Sequence, residues 1–306
     1  VVNTARGGTL DGRTLRSFFE GAASYLRESA AAIDAINVYP VPDGDTGANM
    51  SATLREAVDR TAATGENPTA GQVLQAIARG ALYGARGNSG VILSQALRGF
   101  ASGVGPVERL DAKGLADGLE AAARQAYRAV SRPQEGTMLT VLREAAAEAR
   151  QAANKLPNEG RGCDCAPVMA RAVFAAETAE AATFEQLPAL REAGVPDAGG
   201  EGVCAILRGL FGALSGEYPA ITTHVARRAI AFVEGHGEDE FGFCTEFLIE
   251  AGDARLDIET VRAMAEAGGN RSVVVVGDET LARVHAHCLD PDLLIASAAA
   301  LGSVSR

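Results

Sequence analysis

The chain has 306 residues, of which 47% are hydrophobic, and a formal net charge of −11 at pH 7. This length is enough for two domains, and the acidic balance argues against nucleic acid as a partner. No run of about 18 apolar residues predicts a transmembrane helix, and the N-terminus lacks the pattern of a signal peptide. The five cysteines are irregularly spaced, so a reducing, cytoplasmic location is expected.

The chain up to about residue 217 has the apolar periodicity of helices. Leu15, Phe18, Ala22 and Leu26 recur at intervals of three and four residues, as expected of one buried helix face. Eight helices are predicted, at residues 11–35, 47–63, 69–83, 90–101, 111–130, 137–154, 166–190 and 200–214.

The remainder of the chain has a different pattern. "FGFCTEFLIEAG", "RSVVVVGD" and "ARVHAHCL" are rich in β-branched and aromatic residues, which predicts three strands. "DIETVRAMAEAGG" and "PDLLIASAAALG" predict helices. The sequence therefore predicts a mainly α protein, with a helical domain at residues 1–217 and a small α+β domain at 218–306.

Four connections between the predicted helices are rich in glycine: "PVPDGDTGAN", "GARGNSG", "SRPQEGT" and "GVPDAGGEG". If the eight helices run up and down in an antiparallel barrel, these connections, each before an even-numbered helix, share one end. The first N–H groups of a helix are unpaired, and its dipole is positive there. Each loop alone is typical of an ordinary turn, but four together suit the phosphates of a nucleotide. A P-loop is excluded, because "GxxxxGK[ST]" does not occur.

Asp43 and Asp45 flank a glycine just before the second helix. Paired carboxylates suit magnesium, which bridges protein oxygens to substrate phosphates. An EF-hand loop starting at Asp43 is excluded, because Ala48 and Leu54 stand where glycine and glutamate are required. The alternative is a helix cap, in which Asp45 or Thr46 accepts the first N–H groups of the helix. A cap explains one carboxylate well and both poorly, which favours the metal.

The four histidines are His224, His236, His285 and His287, so the helical domain contains none. The commonest general base is therefore missing beside the predicted nucleotide site. This disfavours proton abstraction by histidine. It suits an acceptor that is already ionised at neutral pH, such as a carboxylate.

His285 and His287 alternate on a predicted strand and so share one face, and Cys244 lies on another strand. Two imidazoles and a thiolate are a plausible zinc triad, although packing explains such residues more often. Cys288 is a possible competitor, but alternation places it on the opposite face. Cys163 and Cys165 lie in a loop as two incidental thiols or as a second metal or redox site.

The motifs "NVYPVPDGDTGANM", "GARGNSGVILSQ", "GTMLTV" and "DAGGEG" occur in the order found in the A subunit of bacterial fatty acid kinase, and the chain resembles that family. The kinase domain of the family is similar to the L subunit of dihydroxyacetone kinase. The resemblance covers residues 10–215, and the following segment looks like the middle domain of the same family. It implies an eight-helix antiparallel barrel that binds ATP at one end.

The resemblance also implies ligands. Two magnesium ions would be held by Asp43, Asp45 and Asn37, although the L subunit has a further aspartate near this last position. Asp197 would lie in the loop that closes the pocket, and zinc would bind to Cys244, His285 and His287. Contacts with the nucleotide are implied for Thr46, Asn49, Ser89, Gly90, Thr137 and Met138.

The family reaction moves the γ-phosphoryl group of ATP to the carboxylate of a fatty acid that a separate lipid-binding subunit presents. A homodimer is expected by analogy. Relatives continue beyond "LGSVSR" with a partner-binding domain, so the chain is expected to be a fragment. Two alternatives are one component of a dihydroxyacetone-type kinase for small polyols and a nucleotide-sensing scaffold without catalysis.

Overall fold

The computed structural model describes residues 8–221, 242–252 and 254–305. The first part contains eight long helices, and two short helices, α8 (Thr183–Gln186) and α9 (Pro188–Ala193), precede the last of them. The long helices are α1 (Gly12–Asp34), α2 (Thr46–Asp59), α3 (Ala70–Gly84), α4 (Gly87–Val104), α5 (Ala112–Ala129), α6 (Met138–Asn154), α7 (Ala166–Ala181) and α10 (Ala198–Ser215).

The eight long helices form a closed barrel. Each packs against its neighbours in the chain, and α10 packs against both α7 and α1, which closes the ring. Small residues allow this close packing. For example, a Cβ at Gly99 of α4 would lie 2.4 Å from the carbonyl oxygen of Ala121 on α5. The predicted fold, a mainly α barrel followed by an α+β domain, is confirmed.

The interior of the barrel is apolar. It encloses a cavity of about 80 Å³ that is lined by large side chains such as Phe18, Phe19 and Leu97. Burial of such side chains is the main stabilising contribution to a helical barrel of this kind. The polar residues that the sequence singles out do not line the cavity.

The prediction of one helix over residues 166–190 is wrong. Helix α7 ends at Ala181, and Leu187 has extended backbone angles (φ −113°, ψ 123°). Pro188 explains this break, because the residue before a proline is disfavoured in the helical conformation. The second predicted helix also ends early, since residues 60–64 form a 3₁₀ helix.

The second part is a four-stranded antiparallel sheet with two helices. Its strands are β3 (Phe243–Glu250), β4 (Arg271–Gly277), β5 (Leu281–Cys288) and β6 (Ser303–Ser305), in the spatial order β4-β5-β3-β6. Helix α11 (Ile258–Glu266) and helix α12 (Pro291–Ala299) pack with the sheet. The three predicted strands and both helices are confirmed, whereas β6 was not predicted. A separate pair, β1 (Leu10–Asp11) and β2 (Arg109–Leu110), joins two loops of the barrel.

The limit between the two domains stays a prediction. Helix α10 ends at Ser215 and strand β3 begins at Phe243. His224 and His236 lie in the segment 222–241, outside the described residues.

The sheet is docked on the barrel beside the connection between α3 and α4. A buried apolar cluster joins the two parts: Leu82, Ala85, Val91 and Ala129 of the barrel with Leu248, Val274, Val276 and Leu281 of the sheet. Arg283 donates a hydrogen bond to the carbonyl of Tyr83 at 2.9 Å, and Arg98 donates one to the carbonyl of Gly277 at 2.5 Å. In the described part of the chain, no helix is long and apolar enough to cross a membrane.

Candidate functional site

Asp43 and Asp45 lie together in the loop between α1 and α2, and their carboxyl groups are hydrogen-bonded to each other. Partial burial, and then the charge of Asp45, raises the pKa of Asp43 to about 7. The Asp43 side chain nevertheless keeps a solvent-exposed edge. Two carboxyl groups in hydrogen-bond contact need a proton or a cation between them, because two adjacent negative charges repel each other. Hard oxygen ligands of this kind suit magnesium.

The cap that would explain these aspartates is supplied by another residue. Asp45 occupies the N-cap position of α2 but makes no capping hydrogen bond with its side chain. Instead Asp34, at the end of α1, accepts hydrogen bonds from the main-chain N–H groups of Gly47 (2.6 Å) and Ala48 (3.2 Å). The helix-cap explanation of Asp45 and Thr46 is therefore wrong, and both carboxylates of the pair are left for a cation.

Sequence reasoning missed Asp34. No local pattern indicates it, because Asp34 is separated from the N–H groups that it caps by the connection at residues 35–45. Burial raises the pKa of Asp34, and the charge of Asp45 adds to this effect. Asp34 therefore belongs to the same acidic group as the predicted pair.

Asn37 is buried below the pair. Its amide donates hydrogen bonds to Asp43 Oδ1 (2.7 Å) and to the carbonyl of Val41 (3.1 Å), and its oxygen accepts one from the Thr46 hydroxyl (2.5 Å). In this arrangement Asn37 orients Asp43, and Thr46 orients Asn37. Their direct contacts with metal and nucleotide stay predictions.

The glycine loop before α4 is pressed against α2. Gly87 has φ +60°, and a Cβ there would lie 2.3 Å from the Asn49 amide nitrogen. A Cβ at Gly90 would lie 2.4 Å from the Thr53 hydroxyl oxygen. The positive φ of Gly87 favours glycine, and a side chain at either position would displace Asn49 or Thr53, so the predicted residues Asn49 and Gly90 lie close together at the start of α4.

Ser89 is buried in the same turn. Its neighbour Asn88, which sequence reasoning missed, has a buried side-chain oxygen with no hydrogen-bond partner among the described residues. A buried acceptor of this kind is costly unless a ligand donates to it. Asn88 is thus an additional candidate for contact with a bound nucleotide.

The third and fourth glycine loops are tied to each other. Thr137 caps α6 by accepting a hydrogen bond from the Leu139 N–H at 3.3 Å. Asp197 caps α10 by accepting one from the Gly200 N–H at 2.7 Å, and it also accepts one from the main chain of Met138. Asp197 is only 4% exposed, and burial raises its pKa to about 7 against these hydrogen bonds. The buried carboxyl group of Asp197 therefore stabilises these two loops through hydrogen bonds from main-chain N–H groups.

The four helix starts meet at one end of the barrel, as predicted. Burial raises the pKa of Tyr39, in the first loop, and the charge of Asp197, in the fourth, adds to this effect. A Cβ at Gly202 of α10 would lie 2.4 Å from the Met50 sulfur of α2. Together with the contact between Asn49 and Gly87, these neighbours place the loops around one mouth, where N–H groups and helix dipoles favour an anion.

Cys244, His285 and His287 lie together on the neighbouring strands β3 and β5. Cys244 is paired with His287 in the register of the sheet, and one candidate ligand atom from each residue lies within 4.8 Å of the others. His285 Nε2 and His287 Nδ1 are buried and have no hydrogen-bond partner among the described residues. Buried, unpartnered imidazole nitrogens beside a thiol fit a transition metal such as zinc.

The other cysteines do not join this cluster. Cys288 is buried on the opposite face of β5, as predicted, with its sulfur 3.2 Å from the Thr245 hydroxyl oxygen. Cys165 is buried in the barrel core, and burial raises its thiol pKa. Cys163 is half-buried and unbridged. Within residues 8–221, 242–252 and 254–305, the two loop thiols form neither a disulfide nor a metal cluster.

Glu246 connects this cluster to the barrel. Its Oε1 accepts hydrogen bonds from His285 Nδ1 (2.8 Å) and from the main-chain N–H of Gly87, and its Oε2 pairs with Arg283 at 3.4 Å. Burial alone would raise the pKa of Glu246, but the hydrogen bond and charge of His285, with the charge of Arg283, lower it overall. Glu246 is thus an ionised link between the Cys244–His285–His287 cluster and the second glycine loop.

The thiol and imidazoles also lie near the aspartate pair. Cys244 is exposed at the surface of the strand, but partial desolvation of its thiol raises its pKa, and the charges of Glu246 and Asp45 add to this effect. Burial, and then the charge of His285, lowers the pKa of His287, which the charge of Asp45 partly offsets. The barrel itself contributes no histidine to the predicted nucleotide site, as expected. The sheet, however, brings the imidazoles of His285 and His287 close to Asp45.

A helical barrel with four helix starts around paired carboxylates packs against a sheet that carries the Cys244–His285–His287 cluster, and this architecture is that of a kinase-related chain. The helical part matches the model of the DAK2 domain over residues 40–212. The second part matches the model of the FakA-like middle domain, which is named after fatty acid kinase, over residues 240–306. The chain therefore belongs to the DAK2-domain family, in the form that carries a FakA-like middle domain.

The chain is similar to several bacterial proteins. Protein YloV of Bacillus subtilis (strain 168) is 36% identical over 295 residues, which cover 92% of this chain and 52% of the relative. The uncharacterized protein SSP1546 of Staphylococcus saprophyticus is 36% identical, with 92% and 51% covered. The uncharacterized protein SAUSA300_1119 of Staphylococcus aureus is 34% identical, with 91% and 51% covered. The chain thus spans about half the length of these relatives.

Proposed function

We propose that this chain is the ATP-binding part of a fatty acid kinase. It would transfer the γ-phosphoryl group of ATP to the carboxylate of a fatty acid that a separate lipid-binding protein presents, giving an acyl phosphate. The main observation behind the nucleotide site is the Asp43–Asp45 pair. The Asp45 side chain does not cap α2, and the pair lies where four helix starts meet. The fatty acid as acceptor rests on the match of the second domain to the middle-domain family.

The aspartate pair would hold the metal of the nucleotide. Asp43 and Asp45 would bind magnesium, two ions by family analogy, and Asn37 would orient Asp43 or complete the ligand set. Bound magnesium would neutralise phosphate charge and bridge the phosphates to the protein.

Main-chain N–H groups at the helix starts would bind the remaining phosphate oxygens. The residues proposed to line the nucleotide are Thr46, Asn49, Asn88, Ser89, Gly90, Thr137 and Met138. Asp197 would close the pocket indirectly, because its buried carboxyl group holds the starts of α6 and α10 together.

The acceptor chemistry requires no general base. A fatty acid carboxylate is ionised at neutral pH, since the usual pKa of a carboxyl group is near 4. Catalysis would then consist of positioning the acceptor and stabilising charge on the transferred group. Cys244, His285 and His287 would hold zinc close to this site, and a homodimer in the cytoplasm is expected by family analogy alone.

The assay for this proposal compares acceptors. The chain is incubated with Mg-ATP and a fatty acid on its lipid-binding protein, and acyl phosphate is trapped with hydroxylamine as the hydroxamate. We expect hydroxamate with the fatty acid and no transfer to dihydroxyacetone, and the Asp45→Asn variant should give none. Transfer to dihydroxyacetone alone would favour a small-polyol kinase. Nucleotide binding without any transfer, also in the longer relatives, would favour a sensing scaffold.

A further inference from the structure

We propose that Glu246 is a positioning residue that couples the Cys244–His285–His287 cluster to the start of α4, so that metal binding and nucleotide binding strengthen each other. This inference rests on the proposed function, because it requires that a nucleotide binds at the barrel mouth. It goes beyond it by assigning a role to a residue of the sheet that contacts both sites.

The geometry of Glu246 is that of a shared acceptor. One oxygen, Oε1, accepts from His285 in the sheet and from Gly87 in the barrel. The side chain is about one-fifth exposed (21%) and is held on its other oxygen by Arg283. Moving this carboxylate therefore disturbs both partners at once.

On the sheet side, Glu246 fixes the proton of His285 on Nδ1, which lies 2.8 Å from Glu246 Oε1 and 4.0 Å from the Cys244 sulfur. With Nδ1–H donating to Glu246, Nε2 is left without a proton and is available to a metal. Such carboxylate partners fix the tautomer and orientation of metal-binding histidines, and their loss typically weakens metal binding about 10–100-fold.

On the barrel side, Glu246 takes the place of a helix cap. Gly87 is the first residue of α4, and Arg86, at the N-cap position, provides no capping hydrogen bond with its side chain. The carboxylate of Glu246, from the other domain, accepts the Gly87 N–H instead. It therefore fixes the loop that holds Asn88 and Ser89, the residues proposed to contact the nucleotide.

The sign of the coupling follows from charge. An anionic Glu246 beside a helix start repels the phosphates of a nucleotide. A cation bound to His285 draws the charge of Glu246 towards the cluster and fixes its position. Metal binding should therefore tighten nucleotide binding, and reciprocity requires the same factor in the other direction.

The docking of the domains does not depend on Glu246 alone. The apolar cluster around Leu82 and Val274, and the bonds of Arg98 and Arg283 to main-chain carbonyls, remain when Glu246 is changed. A Glu246→Gln variant should therefore fold. Glu250→Gln is the matched control, because Glu250 is an exposed glutamate on the same strand.

The experiment measures a binding cycle. ADP affinity is determined by calorimetry in magnesium for zinc-loaded protein and for protein stripped with a chelator and dialysed. Zinc affinity is determined by competition with a chromogenic chelator, with and without Mg-ADP. For the unmodified protein and Glu250→Gln we expect zinc to tighten ADP binding about 5-fold or more, with the same factor for zinc. In Glu246→Gln both factors should fall to about one.

The outcomes are distinct. If the unmodified protein binds ADP equally tightly with and without zinc, the coupling is overturned. The proposed nucleotide site would still stand. An unchanged factor in Glu246→Gln would overturn the role of Glu246. No ADP binding in any form of the protein would overturn the proposed nucleotide site, and the coupling with it. The cycle on the unmodified protein needs no variant, so it decides even if Glu246→Gln fails to fold.

Discussion

At the scale of single residues, Asp43 has an unusual titration. A carboxyl group with a raised pKa stabilises the folded state at low pH, and this contribution is lost as the pH rises from the unfolded value, 3.8, to about 7. The metal-free protein therefore holds a proton at Asp43 near neutral pH, which a cation must displace.

This gives a prediction for metal binding. Mn²⁺ accepts the same oxygen ligands as magnesium and can be followed by its paramagnetic signal. Its affinity should fall about tenfold per pH unit below pH 7 and level off above it, because binding at the pair displaces the one proton of Asp43. Asp43→Asn should abolish the binding. Affinity that stays constant between pH 5.5 and 8 would contradict the raised pKa of Asp43.

Glu180 of α7 is a second buried carboxyl group. It is 6% exposed, and its Oε1 has no hydrogen-bond partner among the described residues. Burial, and then the charge of Glu201, raises its pKa to about 8, although Arg208 opposes this effect. Stability from protonated Glu180 is therefore present below the unfolded value, 4.5, and is lost as the pH rises through 8.

We expect Glu180→Gln to remove this loss. Relative to the unmodified protein, its free energy of unfolding at pH 9 should rise by about 1–3 kcal/mol, the cost of leaving a buried group unsatisfied, and change little at pH 5. Denaturant titrations at the two pH values measure this. Glu192→Gln, at an exposed glutamate, is the control. A Glu180→Gln variant that is equally destabilised at both pH values would show that the residue does not titrate as described.

At the scale of elements, the start of α2 depends on Asp34. Asp34→Ala should cost about 1 kcal/mol of stability, as expected for the loss of an N-terminal cap. It should also weaken Mg-ADP binding, because the aspartate pair lies at the same helix start. Asp59→Ala, at the other end of α2, should change neither. Thermal unfolding and ADP titration measure both effects, and an Asp34→Ala variant as stable as Asp59→Ala would argue against the cap.

The elements themselves could largely be predicted from the sequence. Apolar periodicity and glycine loops indicated the eight helices, since local preferences agree with the barrel. The exceptions have local causes. Residues 182–187 ("ATFEQL") contain no glycine or proline, so the predicted helix was continued through them and past Pro188. Strand β6 pairs with β3 and has three residues, which is too short a segment for a periodic signal.

At the scale of the whole molecule, what could not be predicted is how the domains meet. Each of the four glycine loops precedes an even-numbered helix, which indicated that they share one end of the barrel. This follows from the alternating direction of the chain alone. No periodicity relates Glu246 to Gly87, or His287 to Asp45, since these pairs depend on the docking of the sheet. Asp34 was missed for a similar reason, because its partners lie across a loop.

The central claim is that the Asp43–Asp45 pair holds the metal that holds the phosphates of a nucleotide. The most direct test is calorimetric titration of ADP into the chain, with and without magnesium, beside Asp43→Asn, Asp45→Asn and the surface control Asp59→Asn. We expect binding that requires magnesium, that persists in the control, and that weakens by at least about tenfold in each of the other two variants. Binding that is indifferent to magnesium and to both substitutions would contradict the account.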